Sequence, residues 1–329
     1  METRYRAEQL RAAAADAIRA PSLLNSQPWR FRLRDGAIEI LLDPGRRLAS
    51  ADPTGWAARV ACGAALFNLR LALAVAGTPA EVRLRPEPGE PNLLARLTPA
   101  APRPATGTER TLHRAIPRRF SNRAPFWPDP VPAHDRWQLG QAAQDEGAWL
   151  ELVIGTGAVA ALAEIARGAH RVLERDPGYQ AQLQDWLRRE PAPDGVPASA
   201  GAPLAEPQDL LPQRSFGSRH RAPGRDFEPE PLVAVLGAPG NTPADQITAG
   251  QALQRVLLTA TDLGLSASLI SQPIEVASAR EQLRRALGRF GTPQMVLRIG
   301  YGQPGWATPR RTVEEVLDLS AHQAEHSAV

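Results

Sequence analysis

A long apolar stretch near the N-terminus constrains the fold more than any other feature. From Val60 to Gly77 the sequence reads VACGAALFNLRLALAVAG, which is apolar on nearly every face of a helix. Asp52 as the N-cap and Pro53 at the first position begin the predicted helix, which runs to about Ala76. Such a helix passes through a domain centre or across an interface, so the chain must supply partners on several of its sides.

A second stretch of the chain repeats this pattern. Ala64–Gly77 aligns by eye with Gln251–Gly264, which reads QALQRVLLTATDLG and also ends at a glycine. The elements around both stretches follow a similar order, which predicts an internal duplication without strong identity. A duplicated chain can fold as an internal pseudo-dimer, in which one chain supplies both sides of a two-fold interface. The predicted division lies near Pro99–Gly107, between a first half of residues 1–102 and a second half of residues 103–329.

Periodicity and turn residues predict an α+β fold, with a mostly antiparallel sheet flanked by helices in each half. Asp35-Gly36, between two alternating runs, is a strong hairpin signal. Besides the long helix, the predicted helices are Met1–Ala17, Thr108–Ile116, Val131–Glu146, Ala158–Arg175, Gly178–Arg189, Pro243–Gly264 and Glu275–Gly288. The predicted strands are Trp29–Leu33, Ala37–Leu42, Ala80–Arg85, Asn92–Thr98, Ala148–Ile154, Pro231–Leu236 and Gln294–Ile299, and a tail begins at Gly300.

All 38 basic residues are arginines, since the chain contains no lysine. The absence of lysine excludes a P-loop lysine, a lysine Schiff base and a Ser–Lys dyad. The 35 acidic residues leave a net charge of only +3, and the arginines are interleaved with them. We therefore expect no nucleic-acid partner.

The single cysteine, Cys62, excludes an intramolecular disulfide and a Cys-rich metal site, and the six histidines show no metal-ligand spacing. No apolar run approaches the roughly 20 residues needed to span a bilayer. The N-terminus carries charges among alanines instead of a secretory apolar core. The expectation is a cytoplasmic chain with no metal and no membrane partner.

The stretch APSLLNSQPWRF, from Ala20 to Phe31, is the least generic in the chain. Its two prolines fix the backbone between a helix and a strand, because neither can continue a helix. Short polar side chains and free amides on a stiff loop make a good surface for a planar ligand with several hydrogen-bonding edges. The alternative is a plain helix-to-strand connection with Trp29 in the core. The candidate site residues here are Pro21, Ser22, Leu23, Asn25 and Gln27.

Three segments of the second half complement this loop. RRFSNR, from Arg118, offers guanidinium forks suited to a phosphate. In LGLSASLISQP, from Leu263, a helix ends and the chain turns under short polar residues, and PRR, from Pro309, follows a strand. Each has an ordinary alternative: a solvated basic patch, a glycine C-cap, and arginines before a C-terminal helix. The candidate residues in the first of these segments are Arg118, Arg119, Ser121 and Arg123.

Together these segments resemble the FMN-dependent nitroreductase family. APSLLNSQPWRF is similar to that family's S-P-S-x-x-N-x-Q-P-W segment, RRFSNR to its R-R-S-x-R segment with Ser121 one residue late, and GYGQPGWATPRRTVEEV to its G-Y-P…R-R-x-x-x-E-E-V end. The order of the segments resembles the Acg-type twin nitroreductase-like branch. The resemblance implies that the arginine segments hold the FMN phosphate, while the loop and the turn after the helix that ends at Gly264 lie beside the flavin. It adds Gly264, Leu265 and Ser266, from a turn similar to the family's G-L-G-x-x turn, and the basic pair Arg310 and Arg311 to the candidate residues.

Each half keeps segments that the other lacks, since the first half has the loop and the second half has both arginine segments. The resemblance therefore implies one FMN between two fused nitroreductase-like halves, in a monomer that acts as an internal pseudo-dimer. In Acg-type proteins a region of the second half folds over the flavin. The Pro- and Gly-rich run Glu190–Pro231 is accordingly expected to form a lid, which would exclude water and bulky substrates.

The resemblance implies an oxidoreductase that passes electrons from NAD(P)H to a small organic acceptor such as a nitroaromatic or a quinone. No catalytic side chain is expected, because the flavin carries the chemistry. Two alternatives stay open: a flavin-binding or sequestering protein whose closed lid permits little turnover, and a biosynthetic flavin dehydrogenase with one tailored substrate. LVIGTGAVA, from Leu152 to Ala160, matches a dinucleotide fingerprint, but no second strand carrying an acid follows it, so a Rossmann site is not expected.

Overall fold

The structure contains the helices that the sequence predicts, with ends that differ by a few residues. The computed structural model describes residues 4–200, 211, 214, 232–302, 305 and 307–318. Its helices are α1 (Ala7–Ala17), α2 (Trp56–Val75), α3 (Gly107–Ala115), α4 (Ala133–Gln144), α5 (Thr156–Glu174), α6 (Pro177–Asp185), α7 (Pro243–Asp262), α8 (Gln272–Glu275), α9 (Ala277–Leu287) and α10 (Val313–Val316). Short 3-10 turns occupy Leu23–Asn25, Pro44–Arg46, Ile116–Arg118 and Ala198–Ala200.

The strands of the described residues build two main sheets and one small two-stranded sheet. They are β1 (Trp29–Arg34), β2 (Ala37–Leu42), β3 (Ala80–Leu84), β4 (Leu93–Pro99), β5 (Trp149–Val153), β6 (Leu187–Arg188), β7 (Val196–Pro197), β8 (Leu232–Ala238), β9 (Ser266–Ile270), β10 (Thr292–Gly300) and β11 (Leu317–Asp318). The first sheet has the order β11-β1-β2-β4-β3 and the second has the order β5-β8-β10-β9. Within the two main sheets, neighbouring strands are antiparallel except β11, which lies parallel to β1. The small sheet pairs β6 with β7 in parallel. The molecule is therefore a mixed α+β protein.

The two main sheets share a topology. Apart from β11, the strands of each sheet lie side by side in the order first, second, fourth, third, counted along the chain. In each sheet a long helix connects the second strand to the third; this helix is α2 in the first sheet and α7 in the second. Both helices have 20 residues. Both are followed by a glycine with a left-handed backbone, Gly77 with φ 78° and Gly264 with φ 75°. Glycine carries no penalty at such a C-terminal position.

The long helices cross at close range where each carries a glycine. A Cβ atom built on Gly63 would lie 2.2 Å from the carbonyl oxygen of Ile247, and one built on Gly250 would lie 2.1 Å from that of Val60. The contact is reciprocal, because each glycine approaches a carbonyl of the other helix. Equivalent residues of the two helices are 187 positions apart in the chain. Arg59 and Gln246 have the same separation, and Arg59 Nε donates to Gln246 Oε1 at 2.6 Å. Only residues without a side chain permit this approach.

Three expectations about element ends and lengths were wrong. Asp52 and Pro53 do not begin the long helix, because Gly55, with φ 73°, is its N-cap and Asp52 Oδ2 instead accepts from the Ala58 amide at 2.9 Å. The segment after α7 is not only a turn but continues as β9. Within the predicted tail, residues 313–318 form α10 and the edge strand β11. Pairing across the chain decides these features, and local patterns do not report it.

The expectation that no apolar run approaches membrane-spanning length was also wrong. Trp56–Val75 has 20 residues, and its most apolar 18-residue window has a mean hydropathy of 1.5, enough by length and composition for a span. In the fold 83% of its most apolar window is buried inside the protein. It is the buried helix that the all-round apolar pattern predicts.

The helix crossing generates a stability prediction. Gly63→Ala or Gly250→Ala should lower the free energy of unfolding by about 3 kcal/mol, because the added methyl group meets a backbone oxygen that cannot move aside. Gly140→Ala in α4 is the matched control, since its Cβ would meet nothing within 4 Å, and it should be neutral or stabilising by about 0.5–1 kcal/mol. Urea denaturation measures all three. Equal stability of Gly63→Ala and Gly140→Ala would contradict the close crossing.

Candidate functional site

A cavity opens beside the helix crossing, between the two sheets' flanking elements. We call it the inner cavity. Its empty space is about 830 Å³, counting the open mouth. Its walls come from residues 21–24 of the polar loop, from Trp56, Ala57, Val60 and Ala61 of α2, from Leu253 of α7, from residues 268–272 at the end of β9, and from Ser121, Arg123, Arg214 and Met295.

The inner cavity is apolar on its helical side and polar on its strand side. Among the lining residues that the structure describes, the ionisable groups are two arginines, and no carboxylate, imidazole or thiol is present. Hydroxyl and amide groups come from Ser22, Ser121, Ser268, Ser271 and Gln272. This lining can bind and orient a flat polar ligand, but it holds no side chain suited to act as a nucleophile or a general base near neutral pH.

The polar loop divides its predicted residues between two tasks. Pro21, Ser22 and Leu23 line the cavity, whereas Asn25 and Gln27 are buried behind it. Asn25 Nδ2 donates to the carbonyl oxygens of Gly195 (2.9 Å) and Pro309 (3.0 Å). Gln27 Nε2 donates to the Pro193 carbonyl at 2.8 Å, and its Oε1 accepts from the Arg311 amide at 2.9 Å. These two amides therefore tie the loop to two distant segments of the second half.

Backbone conformation shows that the loop is held under strain. Leu24, Asn25 and Gln27 have φ values of 51°, 55° and 50°, a region that costs side-chain-bearing residues energy. Ser22 Oγ accepts from the Gln27 amide at 3.0 Å and closes the turn. The hydrogen bonds of Asn25 and Gln27 offset that cost, and they fix the Ser22 side of the loop against the cavity.

Two buried arginines at the base of the loop, Arg119 and Arg310, pair with no carboxylate among the described residues. Arg119 is 5% exposed, and its Nε and Nη1 have no hydrogen-bond partner among the described residues, while Nη2 donates to the Arg19 carbonyl at 3.0 Å. Arg310 donates to Asn25 Oδ1 at 3.0 Å and to the Ala20 carbonyl at 3.2 Å, and its Nε is likewise unpartnered in the described part of the chain. A buried guanidinium with open donors is typical of an anion site.

The charge state of this pair reflects its surroundings. Burial lowers the pKa of Arg119 to about 10. Burial, followed by repulsion from Arg119 and Arg19, lowers the pKa of Arg310 to about 9. Burial is the largest cause of both pKa shifts, and a bound phosphate would oppose it by favouring the charged form of each guanidinium. Neither arginine lines the inner cavity. They donate to the carbonyls of Arg19 and Ala20, directly before the cavity-lining Pro21, and Arg119 lies two residues before the cavity-lining Ser121.

Of the remaining predicted arginines, Arg123 lines the inner cavity, whereas Arg118 and Arg311 do not. Arg118 is exposed, lies 3.6 Å from Asp262 and donates to the Arg114 carbonyl. Arg311 is buried but lies 4.0 Å from Asp43 and donates to the Glu315 carbonyl. Arg123 lines the cavity and donates to the Ala200 carbonyl at 2.8 Å, and burial lowers its pKa to about 10.

The predicted turn after α7 contributes through the strand that follows it. Gly264, Leu265 and Ser266 are not among the cavity-lining residues, and Leu265 is buried in the core. β9 begins at Ser266, and Ser268 to Gln272 reach the cavity. A bridge between Ser121 and Ala267, with the Asn122 amide donating to the Ala267 carbonyl at 2.9 Å, holds the Ser121 segment beside this strand.

Sequence reasoning missed Arg214, which lies within the run expected to form a lid. Its guanidinium donates to Tyr179 Oη at 2.6 Å and to Ser271 Oγ at 3.1 Å, and it forms a buried ion pair with Glu275. Arg214 also lines the inner cavity. Residues 193–195 dock on the polar loop, and Asp194 pairs with Arg46. Most of the expected lid, residues 201–231 apart from Leu211 and Arg214, lies outside the described residues.

The fingerprint at Leu152 leads to no dinucleotide fold. β5 is antiparallel to β8, and α5 continues unbroken from Thr156 to Glu174. A dinucleotide site of that type requires a parallel βαβ unit. The helix continues without a second strand directly after it, in agreement with the sequence pattern.

A scan against models of known protein families finds no match. The chain is similar to a Mycobacterium tuberculosis protein named "Putative NAD(P)H nitroreductase", with 33% identity over 324 residues, 95% of this chain and 92% of that protein. It is also similar to the M. tuberculosis "Putative NAD(P)H nitroreductase acg", with 31% identity over 329 residues, 97% of this chain and 98% of that protein.

Solved structures similar to the chain include an FMN-dependent nitroreductase from Mycobacterium smegmatis in complex with NADPH, with 21% identity and a TM-score of 0.42. That match covers 64% of this chain and 98% of the other. A nitroreductase with bound FMN from Bacteroides fragilis matches with 14% identity and a TM-score of 0.38, over 61% of this chain and 93% of the other.

The arginine pair generates a prediction that needs no organic ligand. Inorganic phosphate should raise the melting temperature of the ligand-free protein, because an anion that binds only the folded state stabilises it by an amount that grows with the logarithm of its concentration above the Kd. Arg119→Met should abolish this rise without lowering the free energy of unfolding in phosphate-free buffer, since an unsatisfied buried charged donor costs about 1–3 kcal/mol or more. Arg83→Met, on the exposed face of β3, is the control and should keep the rise. A phosphate response that survives in Arg119→Met would refute the anion site.

Proposed function

The chain belongs to the NAD(P)H nitroreductase family, and we propose that it is an FMN-dependent oxidoreductase that passes electrons from NAD(P)H to a small organic acceptor. The acceptor class is a nitroaromatic, a quinone or a similarly sized tailored substrate. The observation that carries the proposal is a cavity whose described lining offers no carboxylate, imidazole or thiol, together with two buried arginines that pair with no carboxylate in the described part of the chain. A cavity that binds but cannot itself catalyse suits a site in which a cofactor performs the reaction.

The residues present fit FMN at both ends. Arg119 and Arg310 would hold the phosphate, since their open donors and lowered pKa values call for a compensating anion. Pro21, Ser22 and Leu23 on one side, and residues 268–272 on the other, would enclose the ring system. Val60, Ala61 and Leu253 would exclude water from the apolar face of the ligand. When bound, FMN supplies hydride and electron transfer, which no side chain of the lining can perform.

We also propose that the two sheets and their long helices are unequal copies of one ancestral unit. Three features support this: the equal strand order, the constant 187-residue relation between α2 and α7, and the reciprocal contact of Gly63 and Gly250. A reciprocal contact between equivalent residues is what two-fold symmetry produces. The copies would meet at the helix crossing, and residues 1–102 and 103–329 would each contribute to one site.

A second candidate, flavin binding with little turnover, is favoured by contacts that hold described parts of the run after Glu190 against the site. Arg214 lines the inner cavity and is held by Tyr179, Ser271 and Glu275. The side chains of Asn25 and Gln27 donate to the carbonyls of Gly195 and Pro193. A cavity closed at this side would retain flavin but restrict bulky acceptors. The two candidates differ in turnover, not in cofactor.

Anaerobic stopped-flow spectroscopy separates the two candidates. The protein reconstituted with FMN should show a flavin spectrum that bleaches on mixing with NADPH or NADH and recovers when a quinone or nitroaromatic is added. Bleaching and acceptor-dependent recovery support the oxidoreductase. A bound flavin that neither nucleotide reduces would leave the binding protein as the function, and failure to bind FMN would refute both.

The two C-terminal arginines should differ in their effect on flavin binding. Arg310→Ala should weaken FMN binding at least tenfold, equivalent to about 1.4 kcal/mol, because it removes one of the two guanidinium groups at the phosphate. Arg311→Ala should weaken it less, since Arg311 faces Asp43 and the Glu315 carbonyl. Arg83→Ala is the surface control, and fluorescence titration of FMN measures all three. A loss in Arg311→Ala that exceeds the loss in Arg310→Ala would reverse the phosphate assignment.

A further inference from the structure

A second recess adjoins the inner cavity. We call it the outer cleft, and its walls include Asp52, Thr54, Trp56, Asn241, Glu275 and Arg280. Trp56 lines both spaces. Ser271 and Gln272 line the inner cavity, and Ile274 and Glu275, which follow them closely in the chain, line the outer cleft. The two spaces are therefore neighbours, and one extended ligand could occupy both.

Two buried carboxylates of the outer cleft each have one oxygen without a donor among the described residues. Asp52 is 3% exposed; its Oδ2 accepts from the Ala58 amide, whereas Oδ1 has no partner. The side chain of Glu275 is 1% exposed; one oxygen pairs with Arg214, whereas Oε2 has no partner. Buried acceptors without donors are costly, and ligand hydroxyl groups would satisfy them. Vicinal ribose hydroxyls are a common partner of such carboxylates.

The outer cleft also holds a cation that pairs with no carboxylate in the described part of the chain. Arg280 donates to the Pro293 carbonyl at 2.8 Å and to Asn241 Oδ1 at 3.0 Å, and its guanidinium carbon lies 5.8 Å from the centre of the Trp56 ring. Burial lowers the pKa of Arg280 to about 10. The neighbouring Arg284 is already paired with Glu281. Arg280 is thus the group in this cleft that is available to a phosphate.

We propose that the outer cleft binds the ribose-phosphate portion of the nicotinamide donor, with Asp52 and Glu275 accepting from its hydroxyl groups and Arg280 pairing with its phosphate. The proposal rests on the proposed function, because it assigns a place to the donor of that reaction. A dinucleotide combines a planar reactive ring with a hydroxylated, phosphorylated tail. The planar ring matches the inner cavity, and the hydroxylated, phosphorylated tail matches the carboxylates and the arginine of the outer cleft on the other side of Trp56.

The direct test uses a fragment that has the tail and lacks the reactive ring. The FMN-loaded protein should bind 2′-phospho-ADP-ribose in a calorimetric titration, and Arg280→Gln should weaken this binding at least tenfold. Arg285→Gln on the same helix is the matched control, because Arg285 is exposed, pairs with Glu281 and does not line the cleft. Its affinity should stay within about twofold of the unsubstituted protein. Asp52→Asn, which keeps an acceptor for the Ala58 amide, is a second variant should Arg280→Gln fold poorly, and it should also weaken binding.

A kinetic comparison of two donors completes the test. For Arg280→Gln the KM for NADPH should rise about tenfold at unchanged kcat, whereas turnover with 1-benzyl-1,4-dihydronicotinamide, which has no ribose or phosphate, should not change. If neither donor reduces the unsubstituted protein, the proposed function fails. If both donors work, but neither fragment binding nor the KM for NADPH changes in the variants, the outer-cleft assignment fails alone. Equal losses with both donors would also overturn it, because they would place the effect in the inner cavity.

Discussion

The close crossing of α2 and α7 is the contact on which the rest of the molecule depends. Gly63 and Gly250 bring the two helix backbones together, so the helices pack backbone to backbone instead of through intervening side chains. That approach sets the separation of the two sheets, since each helix connects strands of its own sheet. It also places Trp56 to Ala61 of α2 opposite Leu253 of α7, which together form the apolar wall of the inner cavity. A wider crossing would open this wall to water.

The C-terminal segment provides the second constraint, because it returns to the first sheet. β11 pairs with β1, and just before it Arg310 and Arg311 bond to Asn25 and Gln27. The polar loop is thus held from behind by a segment almost three hundred residues away in the chain. This arrangement explains why the loop can keep three strained φ angles. It also brings Arg310 close to Arg119. The proposed anion site therefore forms from two segments of the chain, and neither segment carries the site alone.

Several buried charged side chains at the site have hydrogen-bonding atoms without a partner among the described residues. In that described part of the chain, Arg119 and Arg310 have donors without acceptors, and the carboxylates of Asp52 and Glu275 have acceptors without donors. In contrast, the buried Glu39 carboxylate lies between Arg32 and Arg96 and pairs with both. Because unsatisfied buried charges are costly, these open donors and acceptors mark positions where ligands would contribute partners.

The sequence by itself determined the elements whose signal is local. The all-round apolar pattern predicted a buried α2, Asp35-Gly36 predicted the hairpin of β1 and β2, and the ends at Gly77 and Gly264 predicted the stops of both long helices. The segment motifs also pointed to the family. Local periodicity and glycine chemistry suffice here, because they act within a few residues.

Only the tertiary structure decided which residue of each motif faces the site. Arg118 turns outward and Arg119 inward, Arg310 joins the anion site while Arg311 faces Asp43, and Ser268 reaches the cavity while Gly264 caps a helix. Neighbouring residues in turns and strands point in different directions, and which direction is buried depends on contacts far away in the chain. β9, β11 and Arg214 were missed for the same reason, since each is defined by a partner that no local pattern reveals.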